Sequence, residues 1–208
     1  FVYWGKTEGL KPSKRRLKRT RSWWPSFIPR GGLWCEIRRL GEGNGDNWEN
    51  MQALLRASEE RIGFGRMKVL RLGVNPFGES RDYIACWYGY LWIRKSGKWK
   101  FATNSNGPSF VVIDGKVVAS WPGWHTARGG ESGEHAGAVY LSKGIHKFGY
   151  FFAAKGDRNG HVCGVQGPGE KRLRVLSEKD FLPLLPCVVG NVEELGKEDS
   201  LDFEWESS

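Results

Sequence analysis

The chain has 208 residues and a net charge of +9, which is long enough for one domain with a substantial core plus flanking segments. Its 29 glycines and 11 tryptophans favour short strands with frequent turns over long helices. No stretch approaches the roughly 20 apolar residues that a membrane-spanning helix needs.

The charge is distributed unevenly along the chain. Residues 1–30 hold nine Lys and Arg against one acidic residue, whereas the last 20 residues hold seven acids against one Lys. We therefore expect a basic, irregular arm at 1–30, a globular domain at 31–186, and at 187–208 an acidic linker or the first strand of a truncated next domain. Because the chain begins at Phe1 without Met, a fragment or processed product is expected.

The arm contains a dense basic cluster followed by aromatic residues. The cluster comprises Lys14, Arg15, Arg16, Lys18 and Arg19. Cations next to stackable aromatics can bind polyanions or nucleic acid. A solvated charged linker has the same composition, so both interpretations stay open.

The first elements of the predicted domain are a strand, a helix and a second strand. Apolar residues predict a strand at 33–37 and another at 69–74. Between them, apolar residues spaced near the helical period predict one short helix within 47–63 that ends at Gly63.

From residue 82 onward, short runs rich in aromatic and β-branched residues alternate with turn signals. These runs predict strands at 83–93, 99–103, 110–113, 117–121, 139–141, 145–153 and 162–166. Asp114-Gly115 is a strong signal for a two-residue hairpin, and Lys143-Gly144 predicts a second hairpin. The expected fold class is all-β, a two-sheet antiparallel β-sandwich with one short helix and irregular charged flanks.

The cysteines do not form a recognisable metal or redox motif. Cys35, Cys86, Cys163 and Cys187 are far apart and none has CxxC spacing. Long-range disulfides and buried free thiols are both compatible with this pattern.

Catalytic and metal-binding patterns are weak. The sequence has no HExxH, GxSxG or P-loop motif, so we predict that the chain is not an enzyme. Asn106 and Asp114 are weak candidates for calcium ligands, but no pair of adjacent acids accompanies them. His125 and His135 match no common zinc template, and no cofactor is predicted.

A tryptophan-rich loop suggests carbohydrate binding. Sugar sites combine a flat aromatic face with planar polar groups. The candidate ligand-binding residues of the loop are Trp121, Trp124, His125, Arg128, Glu131 and His135. The alternative is that one or both tryptophans close the end of the sandwich core.

An ordered series of motifs carries a family resemblance. The motifs are 75–78 (NPFG), 89–93 (GYLWI), 97–101 (GKWKF), 109–118 (SFVVIDGKVV), 121–125 (WPGWH), 137–141 (GAVYL), 143–146 (KGIH) and 167–170 (GPGE). Together they resemble the protective-antigen fourteen-kilodalton (PA14) domain family, in a variant found in large surface proteins of planctomycete-type bacteria. The resemblance implies a β-sandwich module of glycosidases, adhesins, toxins and other secreted proteins, with a role in carbohydrate recognition or adhesion.

The resemblance also implies where calcium would be expected. Yeast adhesins of this family hold calcium with two adjacent aspartates in the loop before the Asp-Gly strand. This chain has Ser105-Asn106-Gly107 at that place.

Three functional hypotheses follow from the sequence. The leading one is a non-catalytic carbohydrate-binding or adhesion module that binds a glycan or polysaccharide in an extracellular, cell-surface or periplasmic setting. The second is a structural spacer that docks to neighbouring domains or subunits. The third is polyanion or nucleic-acid binding through the basic arm.

Overall fold

The protein is described here by a computed structural model that covers residues 24–25, 28–128, 134–157 and 159–184. These residues form eleven strands, one α-helix and one 3-10 turn. In chain order the elements are β1 (Leu33–Arg39), α1 (Trp48–Ala57), β2 (Arg61–Met67), β3 (Arg71–Leu72), β4 (Tyr83–Ile93), β5 (Gly97–Ser105), β6 (Ser109–Ile113), β7 (Lys116–Trp121), β8 (Ala136–Leu141), β9 (Gly144–Ala154), β10 (His161–Gln166), β11 (Arg174–Val175) and the 3-10 turn Glu178–Asp180.

The strands form two antiparallel sheets, which confirms the predicted β-sandwich. One sheet has the order β2-β1-β4-β9-β6-β7 and the other has the order β11-β10-β5-β8, with β3 paired to β10. Within the described residues, no helix is both long enough and apolar enough to span a membrane.

The main core lies between the two sheets. Alternate residues of each strand point inward, and large side chains such as Trp87, Phe101 and Phe152 are fully buried there.

A second apolar cluster covers the outer face of the six-stranded sheet. Met51 and Leu54 of α1 pack there against Ile84 and Phe151. Since β4 is covered on both faces, its sequence is an almost continuous apolar run rather than an alternating one.

The last part of the predicted arm contacts this second cluster. Ile28 is buried in it, and the Trp24 ring lies edge-on to Tyr88 and Tyr90 at centroid distances of 5.9 and 5.2 Å. The five basic residues from Lys14 to Arg19 lie outside the described residues, as do the tail from 185 onward and its predicted strand. The division into arm, domain and tail therefore stays a prediction.

Two predicted segments differ from the structure near the start of the domain. The helix ends at Ala57 instead of Gly63, because Ser58 caps it by donating its backbone N–H and its hydroxyl to the Leu54 carbonyl. The chain then enters β2, which pairs with β1 and takes Ile62 into a strand. The predicted strand 69–74 is reduced to the two residues of β3.

The two predicted hairpins have different outcomes. Asp114 and Gly115 have φ values of 49° and 82° and join β6 to β7, as the sequence indicates. The hairpin predicted at Lys143-Gly144 is wrong, because β8 pairs with β5 while β9 pairs with β4 and β6 in the other sheet. The turn is therefore a crossover between the sheets.

Three cysteines are free and buried: Cys35, Cys86 and Cys163. Burial raises the pKa of Cys86 to about 12 and also raises the pKa values of Cys35 and Cys163, so these thiols stay protonated. They pack as small apolar side chains. Cys187 lies outside the described residues.

Candidate functional site

Several loops meet at one end of the sandwich, which we call the loop end. Its described residues are 106–108, 122–128, 134–135, 155–157 and 159–160. Strand pairing brings them together, because Ser109 pairs with both Trp121 and Phe152, and Ser105 pairs with His161. The Trp-rich loop predicted from the sequence thus lies beside two other loops.

A buried chain of hydroxyl groups supports loop 106–108 from below. Tyr150 Oη lies 2.9 Å from Thr103 Oγ1, which lies 2.8 Å from Ser109 Oγ. Ser109 Oγ is 2.8 Å from Ser105 Oγ, and the Ser105 hydroxyl donates to the Gly107 carbonyl at 2.7 Å. Buried hydroxyls that are all hydrogen-bonded fix a loop in one conformation, so Gly107 has a defined position.

Trp121 is enclosed between two histidines. Its indole lies 3.7 Å from the His125 ring and 3.8 Å from the His135 ring, with interplanar angles of 10° and 13°. Two imidazoles this close and this parallel to one indole have no room side by side on one face, so they cover opposite faces. Trp121 therefore has no free face for a sugar ring.

The same arrangement separates the two histidines. The indole stands between them, so they cannot hold one zinc ion together. Burial, with a smaller effect of nearby His135, lowers the pKa of His125 below its usual 6.5 although its ring lies within 3.2 Å of the Trp121 carbonyl. A neutral imidazole stacked on Trp121 is the form that exists at neutral pH.

Trp124 is the exposed aromatic residue of this loop. Its exposed fraction is 39%. The six-membered ring of its indole rests on Gly107, since a Cβ on Gly107 would lie 3.5 Å from Cε3 and Cζ3 of Trp124. Gly123 donates its N–H to the Gly45 carbonyl at 3.0 Å and fixes the loop just before Trp124. The indole is held in place while a large part of it faces solvent.

Polar groups from other loops surround Trp124. The Lys155 ammonium lies 5.6 Å from the centroid of the Trp124 ring, within the range of a cation–π contact. Asn106 accepts the N–H of Ala127 through Oδ1 at 2.6 Å and donates its own N–H to the Gly160 carbonyl at 2.8 Å. Asn106 thus ties three loops together near Trp124.

Two residues of the predicted site, Arg128 and Glu131, remain to be placed. Arg128 is exposed, and Glu131 lies outside the described residues. Sequence reasoning did not identify Lys155 or Gly107 as part of this site. A lysine at the end of a buried strand is a weak signal, and the contact between Gly107 and Trp124 depends on tertiary structure.

The calcium candidates do not come together. Asn106 and Asp114 lie at opposite ends of β6, whose five residues span about 16 Å at roughly 3.3 Å per residue. Asp114 instead binds the N–H of Lys147 and the ring of His146. Within the described ranges no cluster of three or more His, Cys, Asp or Glu residues could hold a metal ion. The described donors do not fit calcium at either position.

Comparisons with known proteins place this geometry in a structural context. No family model matches the sequence. No curated protein matches it either. Solved structures do match: the PA14 domain of the antifreeze protein MpAFP has a TM-score of 0.61 at 14% identity, covering 76% of this chain and 95% of that one.

Two adhesin domains are also similar. The PA14 sugar-binding domain of an RTX adhesin has a TM-score of 0.61 at 15% identity, covering 74% of this chain and 99% of that one. The Epithelial Adhesin 6 A domain from Candida glabrata, solved with Galβ1-3GlcNAc, has a TM-score of 0.52 at 10% identity and covers 76% and 88%. The chain therefore has the β-sandwich fold of a PA14 domain.

Proposed function

We propose that this chain is a non-catalytic carbohydrate-binding module that holds a sugar ring on Trp124 at the loop end. The observation that carries the proposal is an indole that is 39% exposed yet fixed on Gly107. A fixed aromatic face suits the C–H side of a sugar ring, and binding to it costs little conformational entropy.

The surrounding polar groups suit the hydroxyls of a sugar. The side chains of Lys155 and Arg128 offer hydrogen-bond donors. The likeness in fold to two adhesin sugar-binding domains supports the same function, as well as an extracellular or cell-surface setting. Because the described donors do not fit calcium, we propose binding without it.

A glycan array with purified protein tests this proposal, with Trp124→Ala as the key variant. We expect Trp124→Ala to reduce retention on the bound glycans at least tenfold and Trp124→Phe to keep most of it. Phe64→Ala is the matched control, because Phe64 is 37% exposed on β2 and belongs to no loop of the loop end. Equal retention of Trp124→Ala and the parent would overturn the proposal.

The spacer hypothesis has one specific observation in its favour. Tyr140 and Ile145 are 72% and 58% exposed on either side of the crossover from β8 to β9. Exposed apolar groups of this size suit docking to another domain. Hydrogen exchange in a longer form of the protein would show protection of β8 and β9 if they are covered, and no added protection would exclude docking there. The polyanion hypothesis stays a prediction.

A further inference from the structure

A concave site lies at the end of the sandwich opposite to the loop end. It is a groove of about 460 Å³. β4 runs from Tyr83, near the loop end, to Ile93, so Trp92 lies at its far end. Trp99 at the start of β5, and the segments that follow β10 and β11, line the same groove.

Two tryptophans provide aromatic walls. Trp92 is 40% exposed, and the Arg94 guanidinium carbon lies 4.6 Å from its ring centroid. Trp99 is held firmly, because a Cβ on Gly167 would lie 2.9 Å from Cζ3 of its ring. The Trp99 Nε1 atom is buried and has no acceptor in the part of the chain that the structure describes.

Both acidic groups of the groove contact the same arginine. Asp180 accepts two hydrogen bonds from the Arg174 guanidinium, at 2.7 and 2.9 Å. Glu170 accepts the N–H of Gly167 at 2.8 Å and lies 3.5 Å from Arg174. Arg174 thus offsets one of these two negative charges.

Three further cations of the groove have no such partner. Arg94, Lys95 and Lys179 line it, and no ion pair joins them to an acid of the described residues. The groove therefore has an excess of positive charge beside two aromatic rings. Such a surface is complementary to a ring that carries an anionic group.

We propose that this groove binds an acidic polysaccharide, with a sugar ring against Trp92 or Trp99 and its carboxylate or sulfate on Arg94 and Lys95. The planar guanidinium of Arg94, which lies over the Trp92 ring, is suited to bidentate binding of such an anion. The aromatic walls favour a sugar over an acidic peptide, whose side chains offer no flat apolar ring. This site is separate from Trp124, so it does not depend on the proposed function above.

Affinity electrophoresis in gels that contain a single polymer tests the proposal. The probes are polygalacturonate for carboxylate, dextran sulfate for sulfate, unmodified dextran as neutral polymer, and poly-L-glutamate as acidic peptide. The basic arm would also attract polyanions, so every variant is made in a full-length background in which Lys14, Arg15, Arg16, Lys18 and Arg19 are changed to Gln.

We expect Arg94→Gln and Trp92→Ala each to weaken retardation by polygalacturonate or dextran sulfate at least tenfold. Arg94 is an exposed side chain, so Arg94→Gln stays informative if Trp92→Ala impairs folding. Lys116→Gln, at the exposed start of β7, is the charge-matched control and should retain full binding. Trp124→Ala should also retain it, which separates this site from the one at the loop end.

Each outcome of this experiment either supports or overturns the proposal. Binding to only one of the two acidic polysaccharides supports the proposal and identifies the anion. Equal retardation of Arg94→Gln, Lys116→Gln and their common parent overturns it. Retardation by poly-L-glutamate as strong as that by either acidic polysaccharide also overturns it, because charge alone would then explain the binding.

Discussion

The indole of Trp121 lies parallel to the imidazole of His125, with ring centroids 3.7 Å apart, while His135 covers the opposite face. This stack lies beside the first residue of β6, because Trp121 pairs with Ser109. The two neighbouring tryptophans, at the end of β7 and in the loop that follows, therefore have different roles. Trp121 joins the ends of β7 and β8, and Trp124 presents its ring to solvent.

Truncating the two tryptophans should therefore lower stability to different extents. Trp121→Ala removes an indole packed on both faces and should lower the free energy of unfolding by about 2 kcal/mol. Trp124→Ala should lower it by less than about 1 kcal/mol while weakening glycan binding. Urea denaturation of both variants measures the first difference. A larger loss of stability for Trp124→Ala would contradict these roles.

A buried histidine should make the domain sensitive to acid. The Trp87 Nε1–H donates to His161 Nε2 at 2.9 Å, and burial lowers the pKa of His161 to about 3. Because this pKa is below the unfolded value of about 6.5, the neutral ring stabilises the fold above pH 6.5, and this stabilisation is lost as the pH falls toward 3. The expected loss between pH 7.5 and 5 is about 2 kcal/mol.

Urea denaturation at several pH values measures this loss. His161→Gln can still accept from Trp87 but does not titrate, so its stability should vary less with pH. The lowered pKa of His125 acts in the same direction and leaves a smaller residual slope. An unchanged slope in His161→Gln would contradict the assignment.

The sequence predicted the positions of the strands better than it predicted which strands pair. The run that forms β4 predicts a strand at 83–93, because it is dense in aromatic and β-branched residues, and the structure buries it on both faces. The turn at Gly144 has the local signature of a hairpin, yet its flanking strands join different sheets. Turn signals are local, whereas the choice of partner depends on the whole core.

The residues of the candidate site were also predicted better than their contacts. The Trp-rich loop was recognised from composition, but the stacking of Trp121 between His125 and His135 was not. Lys155 reaches Trp124 only because β9 ends beside β6. Trp92 and Trp99 were predicted as strand residues, and only the packing of the two sheets shows that they line one groove.

The Asp114 carboxylate, in the turn between β6 and β7, should raise the pKa of the His146 imidazole. Burial alone would lower that pKa, but hydrogen bonds with the Asp114 carboxylate at 2.6 Å and the Ser142 carbonyl at 2.9 Å outweigh it. NMR titration should give a value above 6.5 in the parent and a lower one in Asp114→Asn, which preserves the turn. The pair stabilises the fold fully below pH 6.5, and this is lost as the pH rises through the folded pKa. Identical titration in both proteins would exclude the contact.

Glycan binding at Trp124 should not depend on calcium. Asn106 uses its side-chain oxygen to hold the N–H of Ala127, and Asp114 lies at the other end of β6. Retention on the bound glycan should therefore be the same in excess calcium and after treatment with a chelator. A loss with chelator that is restored by calcium but not by magnesium would show that donors beyond the described residues complete a metal site.

The close approach of β7 and β8 should make Gly137 intolerant of a side chain. A Cβ at Gly137 would lie 1.7 Å from the Val118 carbonyl oxygen, and this contact is with backbone that cannot rotate away. Gly137→Ala must push β8 away from β7, and it should lower the free energy of unfolding by about 3 kcal/mol. Because His135 precedes β8 directly, the displacement should also disturb its stacking on Trp121 and change the tryptophan fluorescence.

Gly73→Ala is the matched control, since a Cβ there meets nothing within 4 Å and should leave stability unchanged within about 0.5 kcal/mol. Equal stability of the two variants would show that the sheets are further apart at this edge than the structure indicates.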